Sequence, residues 1–255
     1  MKAMILAAGL GTRLRPLTDN RPKALVEVAG RTLLEITLSR LKSFGIRDVI
    51  INVHHFAQMM VDYLKANSDF GMHIEISREE VLLDTGGGLQ KAAPFFLKNS
   101  SSLEEPFVLH NVDVISTIDL PRMARFHVEN RALVTLAVQD RETSRPLLFD
   151  EQLQLCGRGS GRDAKADLVR LAPHVTPLAF SGIHVISTRL FALMTEQGAF
   201  SIIAAYLRLA AQGEKILAFR ADEYHWRDLG RLDDLMKAAE DTEHGVRIDG
   251  ERGRC

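Results

Sequence analysis

Met4-Ile5-Leu6-Ala7-Ala8-Gly9-Leu10-Gly11-Thr12-Arg13-Leu14 is the stretch from which the rest of the chain is read. An apolar run leads into small residues at 7, 8, 9 and 11, and a cation follows two residues after the second glycine. The run predicts a buried strand over residues 2–6. The glycines permit positive φ and leave bare backbone that a ligand can approach. Successive N–H groups in such a turn form an anion nest. Arg13 adds a planar fork of donors matched to phosphate oxygens. A tight strand-to-helix turn carrying a surface arginine is the plainer reading of the same letters, because short glycine motifs are weak signals.

The 255 residues suit one large α/β domain or two closely fused halves, burying a sizeable core without disulfides or metals. Lys and Arg number 32 against 33 Asp and Glu, a formal net charge of -1. Nothing in that balance points to nucleic acid or to a membrane surface. Cys156 and Cys255 form neither a metal cluster nor a disulfide framework, which fits a reducing cytoplasm. The opening apolar run is broken by Gly9 and Gly11, a poor signal peptide, and no run is long enough to cross a bilayer.

Outward from the glycine loop, Pro22 stiffens Arg21-Pro22-Lys23 and presents Lys23 on a constrained segment, although a solvated lysine is the ordinary alternative. Leu34, Leu38 and Leu41 at helical spacing predict a helix from Thr32 to Phe44, stopped by Gly45. Val49–Val53 reads as a parallel-sheet strand, residues 56–66 as a helix and 73–77 as a strand. His54 and His55 are neighbours at a strand end, where side chains point to opposite faces, a poor arrangement for a metal. Thr85-Gly86-Gly87-Gly88 predicts a loop opening a helix at Leu89–Phe96, with bare peptide groups free to read a flat ligand. Asn111-Val112-Asp113 closes the strand that starts at Phe107. A carboxylate just past such a strand end is where open α/β sheets place chemistry, and Asp113 suits Mg2+. Asp119 and Pro121 start a helix. Residues 147–155 read as a hairpin, and 157–165 as a polar loop whose Arg158, Arg162 and Lys165 either face solvent or close over an anionic ligand. Gly182 interrupts a strand over 179–186. Ser187 and Ser201 are predicted helix caps. Asp228, at a second strand-to-helix junction, either caps a helix or joins Asp113 as a second metal ligand.

In order, the glycine loop with Thr12-Arg13, then Pro22-Lys23, Thr85-Gly86-Gly87-Gly88, Asn111-Val112-Asp113, Phe180-Ser181-Gly182 and Trp226-Arg227-Asp228-Leu229-Gly230 resemble the sugar-1-phosphate nucleotidylyltransferases over about residues 1–240. Within them the chain looks most like the short bacterial N-acetylmuramate-1-phosphate uridylyltransferases, a likeness to which Gly198-Ala199-Phe200 adds. The resemblance implies a Rossmann-like three-layer α/β/α fold with a mostly parallel sheet. It implies a single domain over 1–245, with a nucleotide-binding half (1–130), a sugar-binding half (131–245) and a loose tail (246–255).

The resemblance also implies a reaction: a nucleoside triphosphate and a sugar 1-phosphate give a nucleotide sugar and pyrophosphate, with Mg2+ as cofactor. Leu6, Ala7, Ala8, Gly9, Gly11 and Thr12 would hold the nucleotide together with Arg13, Lys23, Thr85, Gly86 and Gly87. Arg13, Lys23 and Asp113 would be catalytic, and Asp113 with Asp228 would hold the metal. Asn111, Gly182 and Asp228 would contact the sugar. The partners are those two small substrates, for a cytoplasmic monomer or small homo-oligomer serving cell-wall sugar metabolism. Mannose-1-phosphate guanylyl transfer is the alternative reaction. A catalytically silent nucleotide-sugar-binding subunit is the alternative of another class, motivated by two departures. Val112 stands where the family often has Gly. The family's second lysine has no clear match, leaving Arg141, Arg145, Arg162 and Lys165 as substitutes.

Overall fold

The computed structural model describes residues 1–98, 102, 104–159 and 167–243. In chain order its strands are β1 (Lys2–Leu6), β2 (Glu27–Val28), β3 (Arg31–Thr32), β4 (Asp48–Val53), β5 (His73–Arg78), β6 (Pro106–Asn111), β7 (Val114–Ser116), β8 (Val134–Gln139), β9 (Leu147–Phe149), β10 (Leu155–Arg158), β11 (Asp167–Leu168), β12 (Thr176–Ser187), β13 (Ile216–Arg220) and β14 (Trp226–Asp228). Its helices are α1 (Leu33–Ser43), α2 (Ala57–Ala66), α3 (Asp84–Lys91), α4 (Ala93–Leu97), α5 (Leu120–Glu129), α6 (Leu190–Leu193), α7 (Ile202–Ala211) and α8 (Leu232–Glu243). The chain forms two units that interleave in sequence. Unit 1 takes Met1–Leu83, His110–Ile118 and the segment from Tyr224, and unit 2 takes Asp84–Leu109 and Asp119–Glu223. Asp228 and the glycine loop both belong to unit 1.

In unit 1, β1, β4 and β5 run parallel, with Leu6 opposite Asn52 and Asn52 opposite Ser77. Helix α1 starts where Thr32 Oγ1 accepts the Glu35 amide at 3.0 Å, and Gly45 follows it at φ +78°, the stop expected from its sequence. Leu34, Leu38 and Leu41 are fully buried. One element of unit 1 has no counterpart in the sequence reading. The three-residue strands β7 and β14 pair as an antiparallel ribbon that sets Asp228 opposite Val114, Arg227 opposite Ile115 and Trp226 opposite Ser116.

In unit 2 the pairing is mostly antiparallel: β12 pairs with β8 and with β9, and β9 continues through β10 to β11, while β13 joins β8 in parallel. The predicted hairpin at 147–155 is therefore present. Its polar continuation at 160–166, with Arg162 and Lys165, lies outside the described residues, as do Cys255 and the tail 246–255. Arg158 pairs with Asp167 at 3.3 Å. Asp119 caps α5 as expected, accepting the Arg122 amide at 2.9 Å.

Three local readings need correction. The glycine run is not a loop before a helix: Gly86, Gly87 and Gly88 are buried inside α3. Low glycine propensity is overridden by packing, because the Gly86 amide donates to Phe200 O at 2.8 Å and a Cβ on Gly86 would lie 2.2 Å from the Phe200 ring. Ser201 occupies the cap position of α7 without capping it; Thr85 Oγ1 instead accepts the Ile202 amide at 2.9 Å. Ser187 caps no helix either, ending β12 with its hydroxyl against His127 Nε2 and Ala132 O.

Candidate active site

The glycine loop leaves β1 buried at Ala7 and Ala8 and surfaces at Gly9 and Leu10. Gly11 adopts φ +65°, ψ +21° and opens the single helical turn Thr12–Leu14. Two constraints fix glycine there. The conformation is left-handed, costly for other residues, and a Cβ would sit 2.9 Å from Thr18 Cγ2 and 3.1 Å from Lys23 Cβ. The Thr18 hydroxyl holds the turn by donating to Gly11 O at 2.9 Å. Gly9 differs: a Cβ there meets no protein atom within 4 Å. Its bare backbone faces open space.

Lys23 stands on the short turn Lys23–Leu25, entered from Pro22 at φ -69°, ψ +150°, the extended entry that proline imposes. Its Nζ forms an ion pair with Asp113 Oδ2, and both side chains are largely covered. Asp113 follows β6. Its segment is held in place by three contacts: the Val112 amide donates to Leu6 O at 3.2 Å, Thr37 Oγ1 donates to Val112 O at 3.4 Å, and the Leu229 amide donates to Asp113 O at 2.7 Å. Val112 itself is buried, so its branched side chain is taken up by unit 1 packing.

Through the β7–β14 ribbon, Asp228 reaches the same place. Its Oδ1 accepts the Gly230 amide at 2.7 Å. Burial raises its carboxyl above the usual carboxylate range, the charge of Asp113 raises it further, and Lys23, the Gly230 amide and Arg13 act in the opposite sense. Gly230, which sequence reasoning missed, is where Arg13 and Asp228 converge. A Cβ on it would lie 2.7 Å from Arg13 Nη2 and 2.7 Å from Asp228 Oδ1. The signal for it is present in the Asp228-Leu229-Gly230 sequence but takes its meaning only from the ribbon.

Unit 1 thus gathers Leu6, Ala7, Ala8, Gly9, Gly11, Thr12, Arg13, Lys23, Asn111, Asp113 and Asp228. Thr85, Gly86, Gly87 and Gly182 belong to unit 2. There Thr85 and Gly86 are engaged with the start of α7, and Gly182 sits at φ +74° where the β8–β12 register shifts between Phe180 and His184, a bulge that favours glycine. Of the cations considered for the second lysine's role, Arg141 donates to Phe180 O at 2.8 Å and Arg145 is exposed.

The donor set suits a hard divalent cation. Asp228 is half-buried beside a second carboxylate, whose ion pair with Lys23 engages the nearest ammonium. Among the described residues no group of three His, Cys, Asp or Glu side chains is placed to hold a metal ion. Two carboxylates, with phosphate and water completing the shell, are a donor set of the kind Mg2+ takes.

The first 146 residues carry the recognisable family pattern: residues 2–146 match the family described as nucleotidyl transferase. An N-acetylmuramate alpha-1-phosphate uridylyltransferase of Caulobacter vibrioides is 34% identical over 223 residues, covering 83% of this chain and 85% of that one. A mannose-1-phosphate guanyltransferase of Candida albicans is 30% identical over 250 residues, 92% of this chain and 63% of that one. A putative glucose-1-phosphate thymidylyltransferase from Bacillus anthracis superposes with a TM-score of 0.76 at 16% identity, over 100% of this chain and 97% of that one. That likeness establishes a mostly parallel central sheet flanked by helices, the nucleotide-diphospho-sugar transferase fold. With the glycine loop, the Lys23–Asp113 pair and the second acid in place, the chain belongs to the sugar-1-phosphate nucleotidylyltransferases of the nucleotidyl transferase family.

Proposed function

We propose that the chain transfers a uridylyl group from UTP to N-acetylmuramate 1-phosphate. A phosphate oxygen of the sugar attacks the α-phosphorus in line. The new O–P bond forms as the bond from the α-phosphorus to the oxygen bridging to the β-phosphorus breaks, and pyrophosphate leaves with that electron pair. Such a reaction asks the protein mainly for alignment and charge neutralisation. The backbone from Leu6 to Thr12 holds the triphosphate, with Gly9 as the point of closest approach. Arg13 steadies the departing pyrophosphate, and Lys23 lies along the α-phosphate. Within unit 1, Ala8 reads the base, and Asn111 and Asp228 contact the sugar. Asp113 and Asp228 would hold Mg2+, which would supply positive charge to offset that of the phosphates.

The observation that carries this reading is the convergence in unit 1 of Arg13, Lys23, Asp113 and Asp228 on one open-faced glycine loop, in a chain 34% identical to a relative named for that reaction. No helix among the described residues is long and apolar enough to cross a membrane. The proposed setting is a cytoplasmic enzyme serving cell-wall sugar metabolism as a monomer or small homo-oligomer. Guanylyl transfer to mannose 1-phosphate is the second reading, favoured by the relative that spans 92% of the chain.

Pyrophosphate release measured with Mg2+ decides between them. UTP, GTP, dTTP, CTP and ATP are crossed with the 1-phosphates of N-acetylmuramate, mannose, glucose and N-acetylglucosamine. Strong release in the UTP and N-acetylmuramate cell supports the first reading, and release with GTP and mannose replaces it with the second. No release anywhere, with nucleotide sugars still bound by calorimetry, makes the chain a silent binding subunit.

A further inference from the structure

Two buried polar side chains in unit 1 have no part in the site as described. Asn52, only 2% exposed, stands in β4 opposite Leu6. Its Oδ1 accepts the Ala7 amide at 2.8 Å, and its Nδ2 donates to Glu79 Oε1 at 2.7 Å. Glu79, 4% exposed, uses its other oxygen, Oε2, to accept the Leu83 amide at 3.0 Å. The backbone of Glu79 is itself fixed, its amide donating to Val53 O at 2.7 Å and its carbonyl meeting His54 Nδ1 at 2.8 Å.

Burying a carboxylate and a carboxamide is costly unless each is matched by partners, and an apolar pair would fill the same space. What the polar pair adds is direction. The Ala7 amide is a donor, so Asn52 must turn Oδ1 toward it and Nδ2 away. Nδ2 and the Leu83 amide are both donors, so residue 79 must accept twice, which a carboxylate does. One hydrogen-bonded chain therefore fixes the first peptide of the glycine loop and the end of the segment that follows β5.

We propose that Asn52 and Glu79 are positioning residues for nucleotide binding, holding the Ala7 peptide where the triphosphate and base meet the loop. This rests on the nucleotide site proposed above. A displacement of that loop weakens the nucleotide and leaves the sugar phosphate's own contacts in place.

The test inverts the polarity of the chain. N52D sets two carboxylates face to face. E79Q sets a carboxamide N–H against another donor. In N52D/E79Q every bond is restored, and only the one between residues 52 and 79 reverses direction. The new carboxylate at position 52 accepts both the Ala7 amide and the carboxamide N–H at position 79, whose carbonyl oxygen accepts the Leu83 amide. Each single variant is expected to raise the KM for the nucleoside triphosphate by about tenfold or more, the scale of a displaced binding group. The KM for the sugar 1-phosphate stays near wild type, and the double variant regains most of the loss. Single variants that melt at lower temperature yet keep the wild-type nucleotide KM overturn the proposal, since that is a purely structural role. If a single variant does not fold, the double decides: near-normal nucleotide KM supports the relay, and an unfolded or weakly binding double overturns it. Wild-type protein that neither turns over nor binds any triphosphate removes the nucleotide site and this proposal together. Active wild type with unaffected variants removes this proposal alone.

Discussion

Lys23 and Asp113 lie 90 positions apart and are joined by an ion pair from which water is largely excluded. Each limits the other: the pairing keeps both the ammonium and the carboxylate from swinging into solvent. The pair gives the first two predictions their form.

Asp113→Asn is close to isosteric and keeps an acceptor for Lys23, so the fold is expected to persist. Turnover falls by about 100-fold or more, the cost of deleting one charge-stabilising group from such a site. Circular dichroism and pyrophosphate release check the two halves. Near-normal rates would remove Asp113 from the metal site.

Lys23→Ala leaves Asp113 covered and unpaired. Its expected signature is a fall in kcat that exceeds the rise in the nucleotide KM, because a contact to the α-phosphate tightens as charge redistributes in the transition state. Steady-state kinetics with varied triphosphate separates the two constants, and a change confined to KM contradicts the assignment.

Gly9 and Gly11 are separated by one residue and predict opposite results. Gly11→Ala costs about 1–2 kcal/mol from the left-handed backbone alone, and the 2.9 Å contact with Thr18 adds to it. Gly9→Ala meets no protein atom, so chemical denaturation should find stability unchanged or raised by about 0.4–1 kcal/mol, from the loss of unfolded-chain freedom. Its nucleotide KM should nevertheless rise. An unchanged KM would mean that no ligand approaches Gly9.

Gly86→Ala drives a methyl group into the Phe200 ring, where 2.2 Å is available. Overpacking of this kind costs about 1–3 kcal/mol. Adding Phe200→Ala to that variant should recover part of the loss in a urea titration, and strict additivity of the two substitutions would contradict the packing account.

His127 is buried against Thr135 and Ser187, and burial lowers its pKa to about 4. The neutral ring is the folded form. Above about pH 6.5, the ordinary histidine value, neither state is protonated and the full contribution to stability is present. As pH falls from about 6.5 toward 4 the unfolded chain takes up a proton that the folded chain refuses, so stability declines by up to about 3 kcal/mol across that window. His110, pushed to about 4 by burial and then by Arg40, acts in the same sense. His127→Gln should therefore flatten the decline in part, and an unaltered slope would exclude His127 as a source.

Periodicity made much of unit 1 legible. Leu34, Leu38 and Leu41 announced α1, and the apolar letters of 49–53 announced β4. The acids were legible singly, as carboxylates after strands, but their geometry was not. The ribbon that joins them has two strands of three residues each, too short for an alternating pattern to register. Asn52 was hidden inside an apolar run, where a single polar letter carries no sign of its partner at 79. Thr85 and the glycines after it were misplaced for the opposite reason: a run that looks like a loop before a helix is also what close helix packing requires, and the Phe200 it packs against lies more than a hundred residues later.

The β7–β14 ribbon also has a consequence for the order in which the protein comes into being. Chains emerge from the ribosome N-terminus first. The glycine loop, Lys23 and Asp113 are therefore out before the long 119–223 excursion is made, and Asp228 arrives only after it. On the roles proposed for these residues, a chain interrupted within 119–223 carries the glycine loop, Lys23 and Asp113 without the acid that the ribbon sets beside them.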